Sequence, residues 1–241
     1  MTNLPLENKV ALITGASRGI GAAVAKQYAA AGAHVILVAR TISGLEAVDD
    51  AIKKDGHGDS TLVPMDLLQH DLIDQLAATI AQRFGRLDIL VGNAATLGDL
   101  RPLPHFPADV WNKIMTLNVT VNWRLIQAFD SLLRASDAGR AIFVTAPQTG
   151  HANNDDITPF WGPYAASKAA LEVLVKTYAA EMSQTNIRVN MIDPVAVSTA
   201  LRKSAFPGEE SNKQRPPESI TKLFLDLANT QLKDNGIIHK A

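Results

Sequence analysis

One stretch of this chain constrains its fold more than any other. Lys9–Thr14 (KVALIT) is a short apolar run that passes directly into Thr14–Gly21 (TGASRGIG) and then into a helical segment, Ile20–Ala31. A run of that length with little polar alternation reads as a strand covered on both faces, as in parallel sheets. In the turn that follows, Gly15 allows a tight reversal. Gly19 and Gly21 let backbone approach a bound group and let the next helix pack on the sheet. A helix starting there directs unpaired N–H groups and the positive end of its dipole at the turn, which suits phosphate. The glycine spacing differs from GxGxxG, so the strand-turn-helix context carries the argument.

The same pattern repeats along the chain. His34–Ala39, Thr61–Met65, Leu87–Val91, Ala141–Thr145 and Ile187–Ile192 read as buried strands. Asp71–Phe84, Ala108–Leu133 and Tyr164–Met182 read as helices, Pro217–Leu227 as a short last helix, and Gly236–His239 as a final edge strand. This predicts one α/β domain over residues 1–241, a Rossmann-type doubly wound parallel sheet of about seven strands with helices on both faces. A chain of 241 residues can bury such a core, and 46% apolar with 20% charged residues excludes disorder. Phe206–Glu218 (FPGEESNKQRPPE) is expected to be a mobile surface loop.

A net charge of -1 with scattered Lys and Arg gives no reason to expect a nucleic-acid partner. No apolar run reaches about 18 residues, so no membrane partner is expected. Met1–Glu7 lacks the pattern of a signal peptide, and there are no cysteines; both fit a cytoplasmic protein. The six histidines show no metal spacing.

The motifs together resemble the short-chain dehydrogenase/reductase family. Thr14, Gly15, Gly19 and Gly21 match its TGxxxGxG turn, and Asn93-Ala94-Ala95 its NAG motif. Asn118 looks like its structural and catalytic asparagine, and Tyr164 with Lys168 like its YxxxK pair. The resemblance implies a nicotinamide cofactor held by Gly15, Ser17, Arg18, Gly19, Ile20, Gly21, Arg40, Asp66, Leu67, Asn93, Ala94, Ala95, Tyr164, Lys168, Pro194, Val197 and Thr199.

The second strand ends Val38-Ala39-Arg40, with no acidic residue to accept from a ribose 2′-OH. Arg40, with Arg18, is placed to grip a 2′-phosphate, so NADP(H) is expected over NAD(H). The alternative is that both arginines are solvated surface charges. Asp66 resembles the family's adenine-contacting aspartate, or else caps the next helix.

Tyr164 and Lys168 are four apart and project from one helix face. A neighbouring ammonium favours the phenolate and is expected to pull the tyrosine pKa down from about 10. The resemblance assigns Tyr164 as proton donor or acceptor, Lys168 as its partner and ribose ligand, and Asn118 as holder of a water that links Lys168 to solvent.

Two positions depart from the family. Its substrate-polarising serine falls at Ala146, or at Pro147 with a one-residue slip, and neither can donate a hydrogen bond. Thr145, Thr149, His151 and Asn153 are candidate replacements, the last two in a stretch (Ala146–Tyr164) longer than the family usually has. After the sixth strand Val195 replaces a glycine, so the loop over the nicotinamide is expected to run differently. Trp161 either lines the substrate pocket or packs its own loop.

These features predict an oxidoreductase moving hydride between nicotinamide and a small carbonyl or secondary alcohol. A dinucleotide-binding sensor or oligomer partner with little catalysis is the alternative, and an epimerase or dehydratase ranks third. The helices of Asn118 and Tyr164 hold many apolar positions, including Leu125, Ile126, Leu171, Leu174 and Val175. In the family this chain resembles, these two helices pair across a symmetric interface, which implies a homodimer or homotetramer through them.

Overall fold

The computed structural model describes residues 4–56, 58–149, 158–210 and 214–241. Seven strands form one parallel sheet: β1 (Val10–Thr14), β2 (His34–Ala39), β3 (Asp59–Pro64), β4 (Ile89–Gly92), β5 (Arg140–Val144), β6 (Arg188–Asp193) and β7 (Ile238–Lys240). Their order is β3-β2-β1-β4-β5-β6-β7, with β1 paired to β2 through Val10–His34 and to β4 through Ala11–Ile89. The chain winds outward to β3, returns across β1, and winds the other way from β4. The carboxyl ends of β1 and β4 therefore diverge into a crevice, the usual ligand position in open α/β sheets.

Helices cover both faces. On one side lie α1 (Gly19–Ala30), α2 (Ile42–Asp55) and α8 (Thr221–Leu227); Tyr28, Leu45, Val48 and Phe224 pack there against Ile13, Val35 and Ile142. On the other lie α3 (Asp71–Phe84), α5 (Val121–Arg134) and α6 (Gly162–Glu181), with Ile73, Phe129 and Leu171 against Leu12, Leu90 and Phe143. The two-sided burial explains why the strands read as unbroken apolar runs.

α2 was not expected, although Leu45, Val48 and Ile52 give it an apolar stripe and Gly56 (φ 71) ends it in the left-handed conformation. The long helix expected over Ala108–Leu133 is α4 (Ala108–Met115) and α5, joined by a π-helical turn at Thr116–Thr120. Such turns insert one residue and redirect the backbone, often at functional positions. The expected mobile loop is anchored where it is described. Arg202 holds Glu209 with two hydrogen bonds (2.7 and 2.8 Å), and Ser198 N donates to Arg215 O (2.8 Å). α7 (Ala200–Ala205) precedes it.

The sheet's amino end is tied at Asp88. Its carboxylate accepts from Val10 N (2.9 Å), Ser136 Oγ (2.6 Å) and Arg86 Nε (3.1 Å). Burial pushes its pKa up, but these hydrogen bonds and the Lys9 and Arg86 charges outweigh it and hold the carboxyl below its ordinary range.

Candidate active site

A cleft of about 740 Å³ opens at the carboxyl ends of the strands. Its floor is the glycine turn, where Gly15 (φ 67) and Gly19 (φ 58) adopt left-handed conformations that side chains resist. A Cβ at Gly21 would lie 2.4 Å from the Gly15 carbonyl oxygen. Gly21 therefore serves the packing of α1 beneath the turn and does not line the cleft. The turn is clasped from β4: Thr14 Oγ1 accepts from the amides of Asn93 (2.9 Å) and Ala94 (3.1 Å), and Asn93 Nδ2 donates to the Thr14 carbonyl (2.8 Å).

One end of the cleft is lined by Arg18, Arg40, Thr41, Ser43 and Gly44, where the start of α2 meets the glycine turn. Both arginines are exposed there. A Cβ on Gly44 would come within 2.8 Å of the Ser17 Cβ, so the two turns sit in direct contact. Asp66 and Leu67 line the adjoining wall. Asp66 does not cap α3, which begins at Asp71; its Oδ1 accepts from Leu68 N (3.1 Å) in a turn of its own. This arrangement fits a dinucleotide with a 2′-phosphate: backbone amides at a helix start for the pyrophosphate, two guanidinium groups at the ribose. Thr41 and Ser43 belong to this end and were missed with α2 itself.

The other end holds Tyr164 and Lys168, both in the first turns of α6 and buried. Lys168 Nζ donates to the Val144 carbonyl (2.7 Å) and lies 5.9 Å from the centre of the Tyr164 ring. Burial, then the nearby Asp193 charge, pushes the Tyr164 pKa up, against the expected fall. The reason is geometric: the ammonium is turned to a strand carbonyl in an apolar setting that penalises phenolate. Burial also lowers the Lys168 pKa to about 8, opposed by Glu172.

Asn118 sits behind this pair, not on the cleft. Its side chain accepts from Thr96 N (2.9 Å) and donates to Thr96 O (2.9 Å) and Ser167 Oγ (3.0 Å). Ser167 in turn donates to Tyr164 O (2.7 Å). The π turn thus places one amide so that it joins the β4–α4 loop to α6.

Ala146 lines the cleft within a cluster formed by Leu97, Trp161, Tyr164 and Ala205. Thr145 does not replace the hydroxyl, because its Oγ1 donates to the buried Glu172 carboxyl (2.5 Å). The Thr149 side chain and residues 151–156, including His151 and Asn153, lie outside the described residues. Gln148, which the sequence reading passed over, lines the cleft and carries amide donors.

Val195 overturns an expectation. It adopts φ 55, a left-handed conformation, despite the branched side chain. Asp193 Oδ1, accepting from Val195 N (2.9 Å), ties down the turn. Pro194, Val197 and Thr199 line the cleft beyond it, and Thr199 caps α7 by accepting from Arg202 N (3.1 Å). Trp161 packs against Tyr164 and Phe206, with ring centres 5.7 Å apart in each pair, and lines the pocket.

The chain has a glycine turn at the sheet's switch point, opposite a Tyr-Lys pair. A family model described as short chain dehydrogenase matches residues 9–210. The chain belongs to the short chain dehydrogenase family. The oxidoreductase YciK of Escherichia coli K12, itself uncharacterized, is 38% identical over 226 residues, covering 92% of this chain and 86% of its own. A short chain dehydrogenase structure from Pseudomonas syringae superposes with a TM-score of 0.93 at 34% identity, covering 99% of this chain and 96% of that one. Another, from Escherichia coli CFT073 complexed with NADPH, gives 0.90 at 35% identity, covering 100% and 99%. As a member of this family the chain is an NAD(P)-dependent oxidoreductase acting on a small molecule. No helix among its described residues is long and apolar enough to cross a membrane.

Proposed function

We propose that this short chain dehydrogenase uses NADP(H) in preference to NAD(H) to interconvert a carbonyl and a secondary alcohol, within one dinucleotide-binding unit over residues 1–241. The observation that carries the reading is that Arg18 and Arg40 line one end of the cleft whose other end holds Tyr164 and Lys168. Gly15, Ser17, Gly19 and Ile20 bind the pyrophosphate side. Asp66, Leu67, Asn93, Ala94 and Ala95 line the adenosine and ribose, and Pro194, Val197 and Thr199 the carboxamide.

The bound nicotinamide supplies or accepts the hydride. Tyr164 Oη gives a proton to the carbonyl oxygen in reduction. Burial and the nearby Asp193 charge hold it in the protonated form that this step requires. Lys168 has three donors: one is used on Val144, leaving two for the ribose hydroxyls and the tyrosine oxygen. Asn118 holds the β4–α4 loop and α6 in register. With alanine at 146, the substrate oxygen lacks a hydroxyl donor from that wall, so turnover of generic carbonyls is slow while NADPH binding stays intact.

A panel of carbonyls and alcohols assayed with both cofactors tests this. The expected result is NADPH-dependent reduction that Tyr164→Phe abolishes. NADPH binding with no turnover on any substrate would favour the second reading, a cofactor-binding sensor, for which Ala146 and the inward-turned Thr145 are the supporting features.

The outer surfaces of α4, α5 and α6 support a homodimer or homotetramer. The expected contacts change, however, because Leu125, Ile126, Leu171 and Val175 are buried in the chain's own core. Trp111, Trp123 and Val173 are the large apolar side chains left exposed on these helices.

A further inference from the structure

Glu172 is a buried carboxyl that the proton-transfer chemistry does not use. Tyr164, Lys168 and Glu172 stand at every fourth position of α6 and so form one stripe on the face turned to the sheet. They are 6%, 2% and 5% exposed. The stripe meets the end of β5 in two hydrogen bonds one helical turn apart. Lys168 Nζ donates to the Val144 carbonyl, and Thr145 Oγ1 donates to Glu172 Oε1. Val144 and Thr145 are consecutive, and Ala146 of the cleft wall follows them.

A buried ammonium with no opposing charge tends to lose its proton. The other acid of α6, Glu181, is exposed at the helix's far end. From β6 the acid facing this region is Asp193, whose Oδ1 accepts from Val195 N and whose field falls on Tyr164. Asn118 and Ser167, packed from the π turn and α6, are neutral. Glu172 is therefore the acid on the stripe that can balance Lys168.

We propose that Glu172 is a positioning residue, the buried counter-ion that keeps Lys168 protonated while clamping α6 to the end of β5. This rests on the reading of Lys168 as the partner of Tyr164. Two effects meet at Lys168: burial lowers its pKa to about 8, and the Glu172 charge opposes the fall. Removing that charge leaves burial unopposed, so Lys168 loses its proton at lower pH. The alkaline limb of activity moves down with it.

The test reads Lys168 directly. Protein carrying 13Cε-labelled lysine is titrated by NMR, with the Lys168 signal assigned by its loss in Lys168→Met. The expected result is a midpoint about one pH unit lower in Glu172→Gln, while Glu172→Asp, which keeps the charge, stays within about half a unit of wild type. The kcat profile at saturating NADPH should shift in the same direction. An unmoved midpoint in Glu172→Gln, with kcat lowered equally at every pH, would make Glu172 a packing residue and overturn the proposal. A wild-type midpoint below about 7 would overturn it without any substitution, since burial would then be acting unopposed. If no form turns over substrate, the catalytic reading fails separately, because the NMR midpoint needs no turnover.

Discussion

At position 146 the cleft wall carries a methyl group, 4% exposed, in the same apolar cluster as Tyr164. Removing one donor from a developing oxyanion costs about 10²–10³ in rate elsewhere, roughly 3–4 kcal/mol. Ala146→Ser should therefore raise kcat about tenfold or more with little change in NADPH affinity, and Tyr164→Phe in that background should remove the gain. If wild-type protein is fast and Ala146→Ser changes nothing, another donor serves, with Gln148→Leu the first variant to examine. Val195 raises a different question, since it holds a left-handed conformation costing about 1–2 kcal/mol for a residue with a Cβ. Val195→Gly should raise the melting temperature, corresponding to about 1 kcal/mol after the greater freedom of an unfolded glycine is subtracted. A lower melting temperature would mean that the valine's packing outweighs its strain. Which residues meet at the cleft was legible for Gly15, Gly19, Arg40, Tyr164 and Lys168, all of which line it. Side-chain direction was not. That Thr145 turns to Glu172, that Asn118 sits behind the cleft, and that burial raises the Tyr164 pKa all depend on packing between segments far apart in sequence.

At the scale of elements, apolar periodicity gave β2 and α3 with their observed bounds, because strands buried on both faces and an amphipathic helix carry strong local signals. It missed α2, whose stripe is interrupted by charged residues, and the π turn, which is one inserted residue inside a continuous helical pattern. Both omissions bear on the site. The start of α2 carries Thr41 and Ser43 and rests against Ser17 through Gly44. Gly44→Ala forces these two turns apart and should weaken NADPH binding about tenfold, a loss of about 1.4 kcal/mol, with a smaller effect on NADH. Equal losses for both cofactors in a fluorescence titration would mean that the contact shapes the pyrophosphate floor and not the arginine end.

For the molecule as a whole, two properties can be measured without substrate. Light scattering at micromolar concentration should give two or four times the mass of one chain, and Trp123→Lys with Val173→Lys should shift it toward one. These side chains are 46% and 66% exposed on the helices proposed to pair. A monomeric wild-type protein would contradict that assembly. Stability should fall in acid partly through Asp88. Its folded pKa lies below its unfolded value near about 3.9, so its contribution is complete above that value and is lost as pH falls through the lower one. Asp88→Asn should lower the melting temperature at pH 7 and flatten the pH dependence below about 4. An unchanged acid profile would place the loss in other carboxylates.

The central claim, that this is a cleft for NADP(H), is tested most directly by titrating the wild-type protein and Arg40→Ala with NADPH and with NADH. Wild-type protein should bind NADPH at least about tenfold tighter than NADH, and Arg40→Ala should lose most of this preference while its NADH affinity hardly moves. Equal affinities in the wild-type protein, or a preference for NADH, would contradict it.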